Sequence, residues 1–133
     1  MSASVCLRKG PGYCVELVGD DLVVRLWWSF GRPNPATWKG VTAALSDALG
    51  ARIGHRVVLD LREAPPVGSR AVRRGIERLL AIATMARRPV VIGCGPTSIQ
   101  RRDVLDLAAT VAPDACIRFP ASALPAEPDL VAA

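Results

Sequence analysis

The sequence predicts an α/β fold built on a mainly parallel sheet of about four to five strands, with a β-hairpin at its start and helices packed on it. Three observations lead there. Residues 56–61 and 89–92 contain the continuous apolar runs Val57-Val58-Leu59 and Val90-Val91-Ile92, of the kind found in strands buried on both faces. Around them lie stretches whose apolar residues recur at three- and four-residue spacing, the period of an amphipathic helix. Near the N-terminus, two runs rich in β-branched and aromatic residues, 13–18 and 22–28, are separated by Gly19-Asp20-Asp21, which is hairpin turn chemistry. The order is therefore β-β-α-β-α-β-α-β, and helices alternating with buried strands imply parallel crossovers.

In chain order, residues 1–12 read as an arm, 13–124 as a single domain and 125–133, with Pro125 and Pro128, as a flexible tail. After the hairpin, residues 31–35 break the β pattern, with Asn34 suited to cap a helix and Pro35 to its first turn. Trp38, Val41, Leu45, Ala48 and Leu49 form the apolar face of this helix, and Gly50 is expected to end it. Residues 56–61 form the central strand. Beyond Pro65, Pro66 and Gly68, Ser69 is placed to cap a second helix over 70–86. Strand 89–92 follows, then a third helix capped by Thr97 or Ser98 and running to 111, and a short strand at 116–119. There is no internal repeat and no low-complexity segment.

With 133 residues, half of them hydrophobic, the chain can bury an ordinary core, removing roughly two-thirds of its unfolded surface from water. No apolar run approaches the roughly 20 residues of a bilayer-spanning helix. Arg8 and Lys9 are not followed by the apolar stretch of a secretory signal, so a cytoplasmic protein is expected. Cys6, Cys14, Cys94 and Cys116 contain no C-x-x-C pair, and the single histidine, His55, follows Gly54 in an expected turn. They read as free thiols, with Cys14, Cys94 and Cys116 in apolar segments expected to bury them; no metal, disulfide or cofactor is expected. The net charge of +5 is carried mostly by arginine, since Lys9 and Lys39 are the only lysines, and it favours an acidic or phosphorylated protein partner. Acidic residues are interspersed throughout, which argues against nucleic acid.

On the second helix, Val72, Ile76, Leu79, Leu80 and Ala83 share one face and Arg70, Arg74 and Arg78 the opposite one. The basic stripe starts beside a helix N-terminus, where the unpaired N–H groups of Gly68, Ser69 and Arg70 carry partial positive charge. Arg73 has Glu77 four residues on.

The run Arg56-Val57-Val58-Leu59-Asp60-Leu61, a turn with Ser69 and an apolar-faced helix together resemble the centre of a STAS domain, the fold of the bacterial anti-sigma factor antagonists. The likeness continues through Arg88-Pro89-Val90-Val91-Ile92-Gly93, Arg102-Asp103-Val104-Leu105-Asp106-Leu107 and the stretch from Ile117 to Leu124. It covers residues 15–124 and is one of pattern more than of invariant residues. The resemblance implies a STAS-like sheet and a non-catalytic signalling module in transcription regulation. Such a module docks to a protein, such as a kinase-like anti-sigma factor, through the Ser69 turn and the following helix. In the family that turn reads Asp-Ser-Ser/Thr-Gly, and the second hydroxyl is phosphorylated by the partner. Here Gly68-Ser69-Arg70-Ala71 puts an arginine at the acceptor position, so phosphorylation falls to Ser69 or is absent. The contact residues expected are Gly68, Ser69, Arg70, Arg73, Arg74, Arg78 and Trp27. Trp27 is included because it shares a strand face with Arg25 and departs, with Trp28, from the family's Gly-Glu-Leu-Asp-like segment. The alternative is a STAS-like domain binding an anion, nucleotide or lipid at the helix end. Asp60 and Glu63 near a strand end are the best acid/base pair available, but no nucleophile motif or P-loop accompanies them, and no enzyme is expected.

Overall fold

The computed structural model describes residues 4–27, 35–63, 70–94 and 98–118. The elements are β1 (Ser4–Gly10), β2 (Tyr13–Val18), β3 (Asp21–Leu26), α1 (Pro35–Gly50), β4 (Arg56–Asp60), α2 (Arg70–Met85), β5 (Val90–Gly93), α3 (Ser98–Val111) and β6 (Cys116–Arg118). They form a mixed α/β structure around a six-stranded sheet in the order β1-β2-β3-β4-β5-β6. β1, β2 and β3 are antiparallel neighbours, whereas β3, β4, β5 and β6 run parallel. The sheet is thus larger and less uniformly parallel than the sequence predicts. The residues read as an arm include β1, which pairs with β2 along its whole length, with a bulge between Cys6 and Arg8.

Gly19 and Asp20 connect β2 to β3, and Gly19 adopts φ 60°, the geometry a tight hairpin needs. Each later strand is added beside the last in one direction, so right-handed crossovers carry all three helices to one face. The main core lies there. Val24, Leu26, Leu59, Leu61 and Ile92 from the sheet meet Val41 and Leu45 of α1, Ile76, Leu79 and Leu80 of α2, and Val104 and Leu107 of α3. The predicted apolar face of α2 is buried in full: Val72, Ile76, Leu79, Leu80 and Ala83. Each large aliphatic side chain there contributes roughly 1.5–3 kcal/mol. On the other face, Val18, Val23, Val58 and Val91 form a separate small cluster, and no helix packs on it among the described residues.

α1 and α2 approach closely because position 75 is glycine. A Cβ at Gly75 would lie 2.5 Å from the Trp38 ring. Glycine costs a helix interior about 1 kcal/mol relative to alanine, and here that cost admits an indole between the helices. Tyr13 is held likewise, since a Cβ at Gly10 or Gly40 would fall 2.3 or 2.8 Å from its ring. Trp38, expected in the core, is half-buried in this crevice.

Gly50 is the last residue of α1, as expected, but it does not supply the left-handed cap. The chain turns at Arg52, in the left-handed region at φ 59°. The Arg52 N–H donates to the Leu49 carbonyl and the Ile53 N–H to that of Ala48, the two bonds of a Schellman cap. α2 ends in the same way at Arg87, φ 58°. The asparagine cap expected at position 34 and the threonine cap at 97 lie outside the described residues, as do Trp28 and the tail beyond 118.

Two outcomes follow in urea denaturation. Gly75→Ala lowers stability by about 1–3 kcal/mol despite its better helix propensity, because the methyl overpacks the Trp38 crevice, and a second change, Trp38→Leu, recovers part of the loss. Arg52→Gly raises stability by about 0.5–1 kcal/mol, because glycine removes the left-handed penalty.

Candidate functional site

β3 and β4 run parallel, so their carboxyl ends emerge on the same edge of the sheet, where the chain leaves β4 towards α2. On the face without helices, Arg25 of β3 stands opposite Asp60 of β4 in register. Asp60 is a buried charged residue, and it is surrounded by donors. Its Oδ1 accepts from the Arg62 backbone N–H at 3.0 Å and from Arg62 Nε at 3.2 Å, and its Oδ2 accepts from Arg62 Nη2 at 3.1 Å. Arg25 Nη1 lies 3.8 Å from the same Oδ2, while Arg25 Nε lies 2.7 Å from Glu16 of β2. The cluster Glu16–Arg25–Asp60–Arg62 thus crosses three strands.

Arg25, Leu26, Asp60, Arg62 and Glu63 line a cleft of about 290 Å³ at this edge. The two carboxylates suggested as an acid/base pair therefore do share a cleft. Asp60 is nevertheless committed to two guanidinium groups, and Glu63 is exposed. Further along the same face, Arg56 donates two hydrogen bonds to Asp21, at 2.9 and 2.8 Å. Those bonds push the Arg56 guanidinium further above its ordinary range, against the opposing effect of burial. His55 is exposed in a bend; its backbone N–H donates to the Asp20 carbonyl.

The expected contact residues divide into four groups. Gly68 and Ser69 lie outside the described residues. Arg70, Arg74 and Arg78 are exposed on the outer face of α2, the middle helix, which packs against α1 and α3. They have no ion-pair partner among the described residues, and they follow one line for about 12 Å, two helical turns. Arg73 does not belong with them. It is half-buried, with Nη2 3.0 Å from Asp106 of α3 and Nε 3.8 Å from Glu77, and so ties two helices together. Trp27 follows β3 at the carboxyl-end edge and is half-buried, its N–H donating to the Gly12 carbonyl at 3.0 Å. The edge that holds Trp27 also holds the start of α2 with Arg70, whereas Arg78 lies two turns away.

The cysteine expectation needs correction. Cys94 is buried and Cys14 half-buried, but Cys116 is exposed, as is Cys6. Cys116 sits at an end of the sheet where its side chain points away from the helices, so an apolar neighbourhood in sequence does not cover it. The thiols of Cys6 and Cys14 lie 3.9 Å apart, a juxtaposition hidden from sequence because it depends on β1. The Arg25–Glu16 contact was equally hidden, since it needs the strand register.

No protein-family model, curated protein or solved structure matches the chain. Among the described residues there is no cluster of potential metal ligands, and no helix is long and apolar enough to cross a membrane.

Removal of the Asp60 charge by Asp60→Asn is expected to cost about 2–4 kcal/mol in chemical denaturation, because Arg62 loses its carboxylate and Arg25 keeps only Glu16. Glu63→Gln, at the rim of the same cleft, changes stability by less than about 0.5 kcal/mol.

Proposed function

We propose that the protein is a non-catalytic regulatory module that docks to another protein through the outer face of α2, in the manner of an anti-sigma factor antagonist with a STAS-like fold. The observation that carries this reading is the contrast within one helix. Arg73 is spent on an internal ion pair with Asp106, whereas Arg70, Arg74 and Arg78 stand exposed with no acidic partner among the described residues. Three like charges in line repel one another and are relieved by an acidic surface, which also steers the encounter. The partner is an acidic protein, such as a kinase-like anti-sigma factor in the cytoplasm. Arg70 occupies the place of the family's phosphate acceptor. Docking through a permanent cation there is constitutive, and Ser69 is the only hydroxyl left in the turn for phosphate.

A second reading, a STAS-like domain binding a small anion, nucleotide or lipid, draws on the cleft between Arg25 and Arg62. It is weaker, because both cations there already face Asp60.

The test compares the wild-type chain with Arg70→Glu/Arg74→Glu/Arg78→Glu as bait in native extract, with stoichiometry read by mass spectrometry and folding checked by circular dichroism. A stoichiometric acidic protein is expected with the wild type, bound at least about tenfold more weakly by the folded triple variant. Equal recovery by both baits overturns docking through α2. A bound small molecule retained equally by both favours the second reading.

A further inference from the structure

We propose that Cys6 and Cys14 form a redox-modifiable pair, which exchange with a small-molecule disulfide converts into a cross-strand bond stapling the edge strand β1 to β2. The inference is independent of docking through α2.

The geometry comes from the β1 bulge. Cys6 is in register with Glu16, and Lys9 with Cys14. The extra residue between Cys6 and Arg8 lets Arg8 reach Asp47 on the helix side, while Cys6 and Lys9 both stay on the open face around Cys14. The two sulfurs lie 3.9 Å apart with neither committed to a disulfide. Closing to a bond of roughly 2.05 Å requires a side-chain rotation and a small shift of β1. As the outermost strand, exposed from Ser4 to Lys9, β1 is the element of the sheet freest to make that shift.

The two thiols differ in a way that orders the chemistry. Cys6 is exposed and meets the reagent first. Its thiolate attacks one sulfur of a disulfide R–S–S–R; a Cys6–S–S–R bond forms, and the first R–S⁻ leaves and takes up a proton, giving R–SH. Cys14 then attacks the Cys6 sulfur, and the second R–S⁻ leaves and is protonated in turn. The protein loses two protons and two electrons, and the small disulfide gains both. Before that reaction the Cys14 thiol is pushed up to about 11, first by burial, then by hydrogen bonding to Cys6 and the negative charges of Cys6 and Glu16, with Arg25 opposing. Lys9, in register across the strand, is the remaining charged group near it. Capping Cys6 removes its negative charge from beside Cys14, while burial, the larger cause, remains. Closure accelerates as the pH is raised.

The experiment incubates the full chain with oxidised glutathione, quenches with acid and maps the products by non-reducing proteolysis and mass spectrometry. The wild type is expected to join Cys6 and Cys14 in one cross-linked peptide, with buried Cys94 unmodified, the exposed Cys116 carrying only a separate glutathione adduct, and any glutathione adduct at Cys6 transient. Cys14→Ser accumulates that adduct, and Cys6→Ser leaves Cys14 free. A wild-type adduct at Cys6 as durable as that of Cys14→Ser, or a bond joining Cys6 or Cys14 to a second chain, overturns the proposal. The wild-type map alone decides the matter if either variant fails to fold.

Discussion

The structure depends on the direction in which its crossovers step. From β3 onwards every strand is laid beside the previous one on the same side, and each connection is a helix. With a right-handed crossover, that progression leaves no freedom: α1, α2 and α3 must cover one face, with α2 in the middle. The consequences reach both chemically interesting regions. A central helix packed on both flanks can expose only its outermost line of residues, so the position of Arg70, Arg74 and Arg78 is set by topology as much as by sequence. The opposite face receives no helix from these connections and must satisfy its own side chains.

That face does so by alternation and charge pairing. The row Val23–Val58–Val91 is apolar and buried. It is flanked on one side by the Asp21–Arg56 pair and on the other by Glu16, Arg25, Asp60 and Arg62. Ion pairs at a surface contribute little, but a buried carboxylate must be compensated or it destabilises the fold. The backbone N–H of Arg62 and two guanidinium groups supply that compensation to Asp60, and they also fix the direction in which the chain leaves β4 towards α2. The carboxyl-end cleft is therefore chiefly a rigid exit for the segment that precedes the basic helix.

Much of this was legible before any coordinates. Val57-Val58-Leu59 and the α2 periodicity announced a central strand and a helix with one buried face, because continuous apolar runs and 3.6-residue spacing are local signals. β1 was not legible. Its Arg8-Lys9-Gly10 stretch is polar, and an edge strand exposed on most of its surface needs no apolar code. The ends of α1 and α2 fall within a residue of the sequence reading, but their left-handed caps were hidden, because arginine at positions 52 and 87 adopts a conformation that glycine usually marks. For the candidate site, the stripe of exposed arginines followed from spacing, but the withdrawal of Arg73 did not. It takes a carboxylate from α3, 33 residues away, and that proximity exists only once β5 has been laid between the two helices.

The basic face and the thiol pair lie on opposite sides of the sheet, yet they are joined by a continuous path. Thr37 Oγ1 donates to the Pro11 carbonyl, the Tyr13 ring sits between Gly10 and Gly40, and Trp38 fills the space over Gly75. Continuity alone does not make a switch, because energetic coupling requires an element with two packed arrangements that both sites bias. These contacts are close steric fits against backbone, with no second arrangement in view. A staple between β1 and β2 therefore acts on the fraying of the sheet edge, a local opening of low free energy. The position of α2 is set on the helix side of the sheet, by Trp38 over Gly75 and by the Arg73–Asp106 pair, away from the open face that carries the two thiols.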